Sequence, residues 1–257
     1  MLNQVIKTAE KAGKKILEFY ETDVEVITKE DDSPLTKADL AAHHIIVDAL
    51  KEIDPGTPII SEESGLPSYE ERKEWTKFWL VDPLDGTKEF IKKNGEFTVN
   101  IALIENQKPV MGVVYVPAFD VMYYAEESIG AFKKEAGKEA VRLNSPVFEA
   151  PGKARIVVSR SHGDDQTAKK LAKLGIEVSE EVPSGSSIKF CLVAEGKADL
   201  YPRLGPTMEW DTGAADAIYR YSSSEGEKFS PLVYNKKSLK NPYFLLGVNT
   251  KTDLESL

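Results

Sequence analysis

The sequence predicts an α/β fold of layered helices and sheets, divided into two subdomains. Segments with apolar residues at helical spacing alternate with short β-branched and aromatic segments along the 257 residues. One unbroken apolar run, KFWLVD, is typical of a strand that is buried on both faces. Proline, glycine and polar residues cluster at 144–154, NSPVFEAPGKA, and this cluster predicts a boundary that divides the chain into 1–150 and 151–257.

The N-terminal part predicts two helices followed by a sheet. Apolar residues recur at helical intervals over 2–21, and a second helical pattern covers 33–53, with Thr36 as its N-cap. Strands are predicted at TPIIS, at KFWLVD and, as a meander of three strands, over 97–127. The segment 129–143 adds a short hairpin.

The C-terminal part predicts strands and helices in alternation. Strands are predicted by the segments RIVVSRS, IEVSEE and ADLYPR. Helices are predicted by DDQTAKKLAKL, SSIKFCLVAEG and DTGAADAIYRY. This alternation predicts a second α/β unit over 151–257.

Composition and charge exclude several classes of protein. Hydrophobic residues make up 41% and charged residues 29%, which is a normal globular mixture. The net charge of -9 argues against non-specific nucleic-acid binding. The one cysteine, Cys191, cannot form an intramolecular disulfide, which favours a reduced, cytoplasmic setting. Its apolar neighbours predict that it is a packed core thiol. No apolar run approaches the ~18 residues of a membrane span. The sequence leaves open whether the protein associates peripherally with the inner membrane face, and it does not predict the oligomeric state.

The segment WLVDPLDG places two acids, Asp82 and Asp85, at the end of an apolar strand. The turn around Pro83 allows both side chains to point to one side, with the Leu84 carbonyl between them. Two carboxylates at that spacing raise each other's pKa unless a cation lies between them. Mg²⁺ prefers such carboxylate and carbonyl oxygens. An ordinary acidic turn remains the alternative, since Asp, Pro and Gly all favour turns.

Two further acidic positions extend the pattern. Glu62 and Glu63 follow the predicted strand in PIISEESG, where ligands of α/β sheets commonly bind. Asp211 lies at the start of a predicted helix in MEWDTGAAD, where N-capping is the alternative explanation. Acids at three junctions between strands, loops and helices suit a two-metal phosphate site.

These three stretches carry a resemblance to a known family. EES, DPLDGT and WDTGAAD resemble the signature stretches of the lithium-sensitive, Mg²⁺-dependent phosphatase superfamily, which includes inositol monophosphatase. The longer strings WLVDPLDGTKEFIKKNGEFTVNIALI, SRSH, KFCLVAEGKADLYPR and GPTMEWDT resemble, more narrowly, the CysQ type of 3′(2′),5′-bisphosphate nucleotidase. The resemblance covers nearly the whole chain. It implies a layered α-β-α-β-α sandwich with the site in the cleft between two subdomains.

The resemblance also implies a role for each site residue. The implied ligands of two or three Mg²⁺ ions are Glu62, Asp82, the Leu84 carbonyl, Asp85 and Asp211. Thr87 matches the catalytic threonine, and Asp39, in SPLTKAD, matches its acidic partner. The implied substrate-binding residues are Glu62, Leu84, Asp85, Gly86, Thr87, Ser161, His162, Gly185, Lys189 and Asp211. Of these, Ser161, His162, Gly185 and Lys189 are expected near adenosine and its 5′-phosphate.

The residue types agree with this chemistry. Thr87 is suited to holding a water that a metal activates, with its hydroxyl hydrogen-bonded to Asp39, so that the pair accepts the proton. Gly86 lets the backbone approach a phosphate without a Cβ in the way. Lys189 offsets the charge of a phosphate, although a solvated helix lysine remains the alternative.

With the resemblance, the favoured prediction is a phosphatase that removes the 3′-phosphate of adenosine 3′,5′-bisphosphate and releases AMP. Inositol monophosphate and fructose 1,6-bisphosphate are the alternative substrates. A non-catalytic nucleotide-binding module is a further alternative, against which the presence of both Thr87 and Asp39 argues. Inhibition by lithium is implied by the resemblance only.

Overall fold

The computed structural model describes residues 1–21, 26–28, 34–160, 165–249, 252 and 254. Its helices are α1 (Leu2–Tyr20), α2 (Lys37–Ile53), α3 (Tyr69–Arg72), α4 (Thr87–Ile91), α5 (Asp165–Lys173), α6 (Ile188–Ala194) and α7 (Glu209–Arg220). Its strands are β1 (Val26–Thr28), β2 (Pro34–Thr36), β3 (Ile59–Ser61), β4 (Lys77–Asp85), β5 (Thr98–Glu105), β6 (Lys108–Val116), β7 (Val121–Glu126), β8 (Gly130–Glu135), β9 (Val141–Arg142), β10 (Gly152–Ser159), β11 (Ile176–Ser184), β12 (Tyr201–Arg203) and β13 (Phe244–Leu246). One turn of 3₁₀ helix, Pro117–Phe119, separates β6 from β7.

Most predicted elements are present, and the second helix begins later than predicted. Residues 34–36 pair with β1 as the antiparallel strand β2, so α2 starts only at Lys37. Proline has no amide to donate and biases the residue before it towards extended backbone, which favours a strand here. The predicted capping role of Thr36 concerns a side chain outside the described residues.

Seven strands form the main sheet in the order β3-β4-β5-β6-β7-β8-β9. β3 runs parallel to β4, and the other neighbouring strands are antiparallel. The strand predicted from KFWLVD is buried on both faces, since residues 78–82 are all at most 1% exposed. A strand with no solvated face must be covered by helices on both sides.

Two apolar cores cover the two faces of this sheet. Trp79 and Val81 pack with the buried stripes of α1 and α2. Phe78 and Leu80 face the other way and pack with α6 and α7. This second core joins residues from both sides of position 150, because Val114 on β6 belongs to the same cluster as Trp210 on α7.

The smaller strands lie beyond α6 and α7. β10 and β11 are parallel, β12 and β13 are antiparallel, and a parallel bridge between Ile156 and Leu200 links the two pairs. α5 packs on β11, and α6 contacts α7, β10 and β12. The layers are therefore α1 and α2, the large sheet, α6 and α7, the smaller strands, and α5, which confirms the predicted fold class. The sequence did not predict β13, and the division at residue 150 stays a prediction.

Two simpler predictions concern burial. Cys191 is fully buried on α6, which confirms that it is a core thiol. Across the described ranges, no helix combines the length and the apolar character that crossing a bilayer requires.

Candidate active site

A break in strand pairing brings the two acids of the DPLD turn to one side of the sheet. Asp82 lies opposite Asn100, and Asp85 lies opposite Thr98, so β4 carries two residues where β5 carries one. Residues three apart on a regular strand face opposite sides. The extra residue places Asp82 and Asp85 on the same side, and the Leu84 amide donates to Asp82 Oδ1 at 3.1 Å.

Glu62 and Asp211 approach the same place from other elements. Glu62 directly follows β3, and its amide donates to the Val81 carbonyl at 3.1 Å, so the parallel pairing with β4 extends to it. Asp211 lies in the first turn of α7, where its Oδ2 accepts from the Met208 amide at 2.8 Å. Asp211 is thus not the N-cap residue itself, because α7 begins two residues earlier than the sequence predicted and Met208 precedes it.

The electrostatics show that these carboxyl groups face one another. Burial raises the pKa of Asp82 well above its usual range, and the carboxylates of Glu62, Asp85 and Asp211 raise it further. Burial and the Asp85 carboxylate likewise raise the pKa of Asp211. Among the described residues, no lysine or arginine forms an ion pair with Asp82, Asp85 or Asp211. The cluster therefore brings together carboxyl groups that repel one another when they are ionised.

The same carboxylates do not by themselves form a closed metal cage. Within the described part of the chain, no three His, Cys, Asp or Glu side chains meet the spacing of a metal site. Asp85 Oδ2 instead accepts hydrogen bonds from Ser186 Oγ at 2.6 Å and Ser187 Oγ at 3.0 Å. The donor set still fits Mg²⁺, because it consists of oxygen ligands that repel one another, and Mg²⁺ takes few protein ligands and keeps several waters.

Thr87 and Asp39 lie next to each other at the starts of two helices. Thr87 opens α4, and its Oγ1 lies 3.4 Å from Asp39 Oδ1 and 3.4 Å from the Leu84 carbonyl oxygen. Asp39 is in the first turn of α2 and is 2% exposed. Gly86 precedes Thr87 with φ +89°, a left-handed conformation that favours glycine. The Thr87 hydroxyl therefore connects Asp39 with the DPLD turn.

A cavity of about 170 Å³ opens beside Asp85 and Asp211. Gly86, Gly185, Lys189 and Arg203 are among the residues that line it. Lys189 lies on α6 and is only 7% exposed, which excludes a solvated lysine. Its Nζ donates to the Ser186 carbonyl at 2.6 Å, and burial lowers its pKa to about 8.

Sequence reasoning missed Arg203, which lines the same cavity. Its Nη2 donates to the Pro206 carbonyl at 3.0 Å, but its buried Nε has no hydrogen-bond partner among the described residues. A buried guanidinium N–H without a partner costs free energy, and an anionic ligand would supply that partner. Its position at the end of the predicted strand ADLYPR was the available signal, since ligands gather at such strand ends.

Gly185 lies where the two halves of the chain meet. Its amide donates to Glu96 Oε2 at 2.8 Å, and a Cβ on it would lie 2.9 Å from the Glu96 carbonyl oxygen. Arg160 Nε also donates to Glu96, at 2.6 Å. The next two residues, Ser161 and His162, lie outside the described residues, so their expected place near the nucleoside stays a prediction.

Comparison with known proteins identifies the family. Residues 1–221 match the model of the inositol monophosphatase family. The chain belongs to the inositol monophosphatase family. This membership confirms the resemblance that the sequence motifs carry. The fold of the chain agrees with the crystal structure of CysQ from Bacteroides thetaiotaomicron, described as a bacterial member of that family. The TM-score is 0.77, and the sequence identity is 43%, with 97% of both chains covered.

Two curated relatives narrow the position within the inositol monophosphatase family. The 3′(2′),5′-bisphosphate nucleotidase CysQ of Salmonella typhimurium is 52% identical over 220 residues, 85% of this chain and 86% of the relative. The protein of the same name from Escherichia coli K12 is 46% identical over 253 residues, 96% of this chain and 100% of the relative. The extragenic suppressor protein SuhB from Bartonella henselae is more distant, with 25% identity and a TM-score of 0.70.

Proposed function

We propose that this family member is a Mg²⁺-dependent phosphatase that hydrolyses the 3′-phosphate of adenosine 3′,5′-bisphosphate to give AMP and phosphate. The observation that carries the proposal is the convergence of four acids, Glu62, Asp82, Asp85 and Asp211, of which Asp85 and Asp211 line one cavity. The choice of substrate is supported by the relatives at 46% and 52% identity, both named 3′(2′),5′-bisphosphate nucleotidase.

The carboxylate cluster is the proposed Mg²⁺ site, with the Leu84 carbonyl as an additional ligand. Mg²⁺ bound there would supply a water of lowered pKa and would screen the phosphate oxygens. We expect two or three ions. The protein's own contribution is to hold four acids together, with Asp82 buried at 1% exposure and Glu62, Asp85 and Asp211 half-buried.

Thr87 and Asp39 form the proposed pair that orients the attacking water. The Thr87 hydroxyl accepts a hydrogen bond from that water and donates to Asp39 Oδ1, 3.4 Å away. As the water loses a proton to Thr87 Oγ1, the hydroxyl proton of Thr87 passes to Asp39. Catalytic hydrogen bonds are often long without substrate and shorten in the reacting complex, so a separation of 3.4 Å is compatible with this role.

The cationic side of the cavity is the proposed site of the phosphate that is not hydrolysed. Lys189 and Arg203 line the cavity together with Asp85 and Asp211. In a chain of net charge -9, two cations in the cavity offset the repulsion of a doubly phosphorylated ligand. Ser161, His162 and Gly185 complete the proposed nucleoside site, and Gly86 and Thr87 contact the scissile phosphate.

A phosphate-release panel tests the proposal. Adenosine 3′,5′-bisphosphate, inositol 1-phosphate and fructose 1,6-bisphosphate are compared with Mg²⁺, with Mg²⁺ plus Li⁺, and with EDTA. We expect the nucleotide to give the highest kcat/KM, Li⁺ to inhibit and EDTA to abolish release. Equal or faster turnover of inositol 1-phosphate would overturn the choice of substrate. Nucleotide binding without phosphate release in Mg²⁺ would overturn the enzyme itself.

We also propose a cytoplasmic location, which the single buried cysteine supports. The relevant partner is a phosphorylated small molecule.

A further inference from the structure

A buried polar network joins the acids of the two halves of the chain. Thr98 and Asn100 point from β5 to the same side of the sheet as Asp85, in a strand whose other residues up to Ile104 are apolar. Ser186 and Ser187 approach from the loop before α6. Thr98, Asn100 and Ser187 are at most 2% exposed, and Ser186 is half-buried.

The hydrogen bonds that lead from Thr98 through Asn100 to Ser187 have a defined direction. Thr98 Oγ1 donates to Asn100 Oδ1 at 2.9 Å, so the amide nitrogen of Asn100 is left as the donor. That nitrogen donates to Ser187 Oγ at 2.9 Å and lies farther, 3.5 Å, from Asp85 Oδ2. Ser187 therefore receives one hydrogen bond from Asn100, and its own single proton is free for an acceptor on the other side.

Two acceptors share that proton, and each belongs to a residue proposed to hold Mg²⁺. Ser187 Oγ lies 2.6 Å from the backbone carbonyl oxygen of Asp211 and 3.0 Å from Asp85 Oδ2. One acceptor lies on α7 and the other at the end of β4. A displacement of either one stretches a bond to the same oxygen, so the hydroxyl fixes the separation of the two elements.

We propose that Ser187, oriented by Asn100, is a positioning residue that sets the distance between Asp85 and Asp211 and thereby the affinity of the carboxylate cluster for divalent cations. This inference rests on the proposed function, because it takes the cluster to be the Mg²⁺ site. Ser187 itself acts only through the two acids. Groups that orient metal ligands typically change metal affinity by about 10- to 100-fold when they are removed.

The alternative is that the network only stabilises the fold. Its bonds are buried, so a broken one lowers the free energy of unfolding whatever its effect on the acids. Stability and cation affinity must therefore be measured separately. Ser222 supplies a matched control, because it is also fully buried and its Oγ donates to a backbone carbonyl, that of Tyr219, at 2.8 Å.

The test compares Ser187→Ala, Asn100→Leu and Ser222→Ala with the wild-type chain. The Mg²⁺ dissociation constant is measured by calorimetry without substrate, and Tm is measured in EDTA. We expect Ser187→Ala to weaken Mg²⁺ binding by about 10-fold or more. Asn100→Leu, which keeps Ser187 and both acids, should weaken it in the same direction by a smaller factor. Ser222→Ala should lower Tm and leave the dissociation constant unchanged.

The outcomes separate this inference from the proposed function. If the wild-type chain binds Mg²⁺ and Ser187→Ala binds it equally well, the positioning role is overturned and the phosphatase proposal stands. If the wild-type chain binds no Mg²⁺, both are overturned. Should Ser187→Ala fail to fold, Asn100→Leu decides, and unchanged affinity in that variant overturns the inference.

Discussion

At the scale of single residues, Asp85 is the acid on which the proposed chemistry depends most. It is shared between the carboxylate cluster, the Ser187 network and the cavity wall. We expect Asp85→Asn to reduce kcat by at least about 100-fold, because a charged group that stabilises the reacting phosphate is lost. Its Tm in EDTA should equal or exceed that of the wild-type chain, because one source of repulsion is removed.

The matched control is Asp48→Asn, at an exposed position of α2. It should leave both kcat and Tm unchanged. A wild-type kcat in Asp85→Asn would exclude a metal-binding role for Asp85.

Lys189 separates recognition of substrate from catalysis. Its ammonium group is buried beside the cavity, so Lys189→Met removes a cation without opening the core. We expect KM for adenosine 3′,5′-bisphosphate to rise by about 10-fold or more, in line with the loss of a charged hydrogen bond. Hydrolysis of p-nitrophenyl phosphate, which has no second phosphate, should be unaffected. Lys92→Met, at an exposed position, is the control, and equal KM values in the two variants would contradict this role.

Lys228 predicts a dependence of stability on pH. It is 4% exposed, it donates to Ser145 Oγ, and burial lowers its pKa from 10.5 to about 8. Below pH 8 the folded and unfolded states both carry the charge, and the cost of burying it is fully present. Between pH 8 and 10.5 the unfolded state binds more protons, so stability rises with pH.

We therefore expect Lys228→Met to remove a gain of at most about 3 kcal/mol in the free energy of unfolding over that range. Urea unfolding of the wild-type and variant chains at pH 7 and pH 9.5 measures it. The exposed Lys237→Met should preserve the gain. Parallel pH profiles for wild-type and Lys228→Met would contradict the prediction.

At the scale of elements, the contact between β6 and α7 holds Asp211 in place. Gly112 lies on β6 under α7, and a Cβ there would lie 2.1 Å from the Ala214 carbonyl oxygen. We expect Gly112→Ala to lower the free energy of unfolding by about 1–3 kcal/mol, because α7 must move away from the sheet. Since α7 carries Asp211, Mg²⁺ affinity measured by calorimetry should fall as well.

Gly65→Ala is the control for this contact. A Cβ there meets no atom of the described part of the chain within 4 Å, and the backbone is not left-handed. It should change neither stability nor Mg²⁺ affinity. Stability in Gly112→Ala equal to that of the control would contradict the tight contact.

The same helix shows where prediction from sequence ends. Strong local patterns located α1, β4 and the three-stranded meander, because their periodicity is a property of the segment itself. The predicted start of α7 was two residues too late, because contacts with distant residues extend the helix. The Glu209 amide donates to the Leu239 carbonyl at 2.8 Å, and the buried Glu209 carboxylate accepts from the Asn235 amide at 2.7 Å.

The residues of the candidate site likewise fall into those that local sequence predicted and those that only the fold revealed. The acids were found because three short motifs carry them, whereas Arg203 and Ser187 have ordinary neighbours in sequence. Their importance comes from the cavity and from Asp85, which only the folded chain brings to them. The polar Thr98 and Asn100 in the apolar string FTVNIALI were the one sequence signal of the buried network.

At the scale of the whole molecule, cation binding should stabilise the fold. Asp82 and Asp85 lie before residue 150 and Asp211 after it, so an ion that they share links distant parts of the chain. At a concentration of 100 times the dissociation constant, Mg²⁺ should add about 2.7 kcal/mol to the free energy of unfolding. For a chain of this size the expected rise in Tm is about 5–10 °C.

Thermal unfolding in Mg²⁺ and in EDTA measures this rise, with NaCl added to match the ionic strength. The rise should be lost in Asp85→Asn. An equal rise in that variant would show that Mg²⁺ acts elsewhere on the chain.

The apolar core that unites Val114 with Trp210 has a practical consequence for dissecting the protein. A chain cut after residue 150 leaves each fragment with an exposed apolar surface and with only part of the carboxylate cluster. Neither fragment should persist alone, yet the two should reassociate when they are produced together. Recovered phosphatase turnover would then report complementation, and the enzyme could serve as a split reporter whose signal requires both fragments.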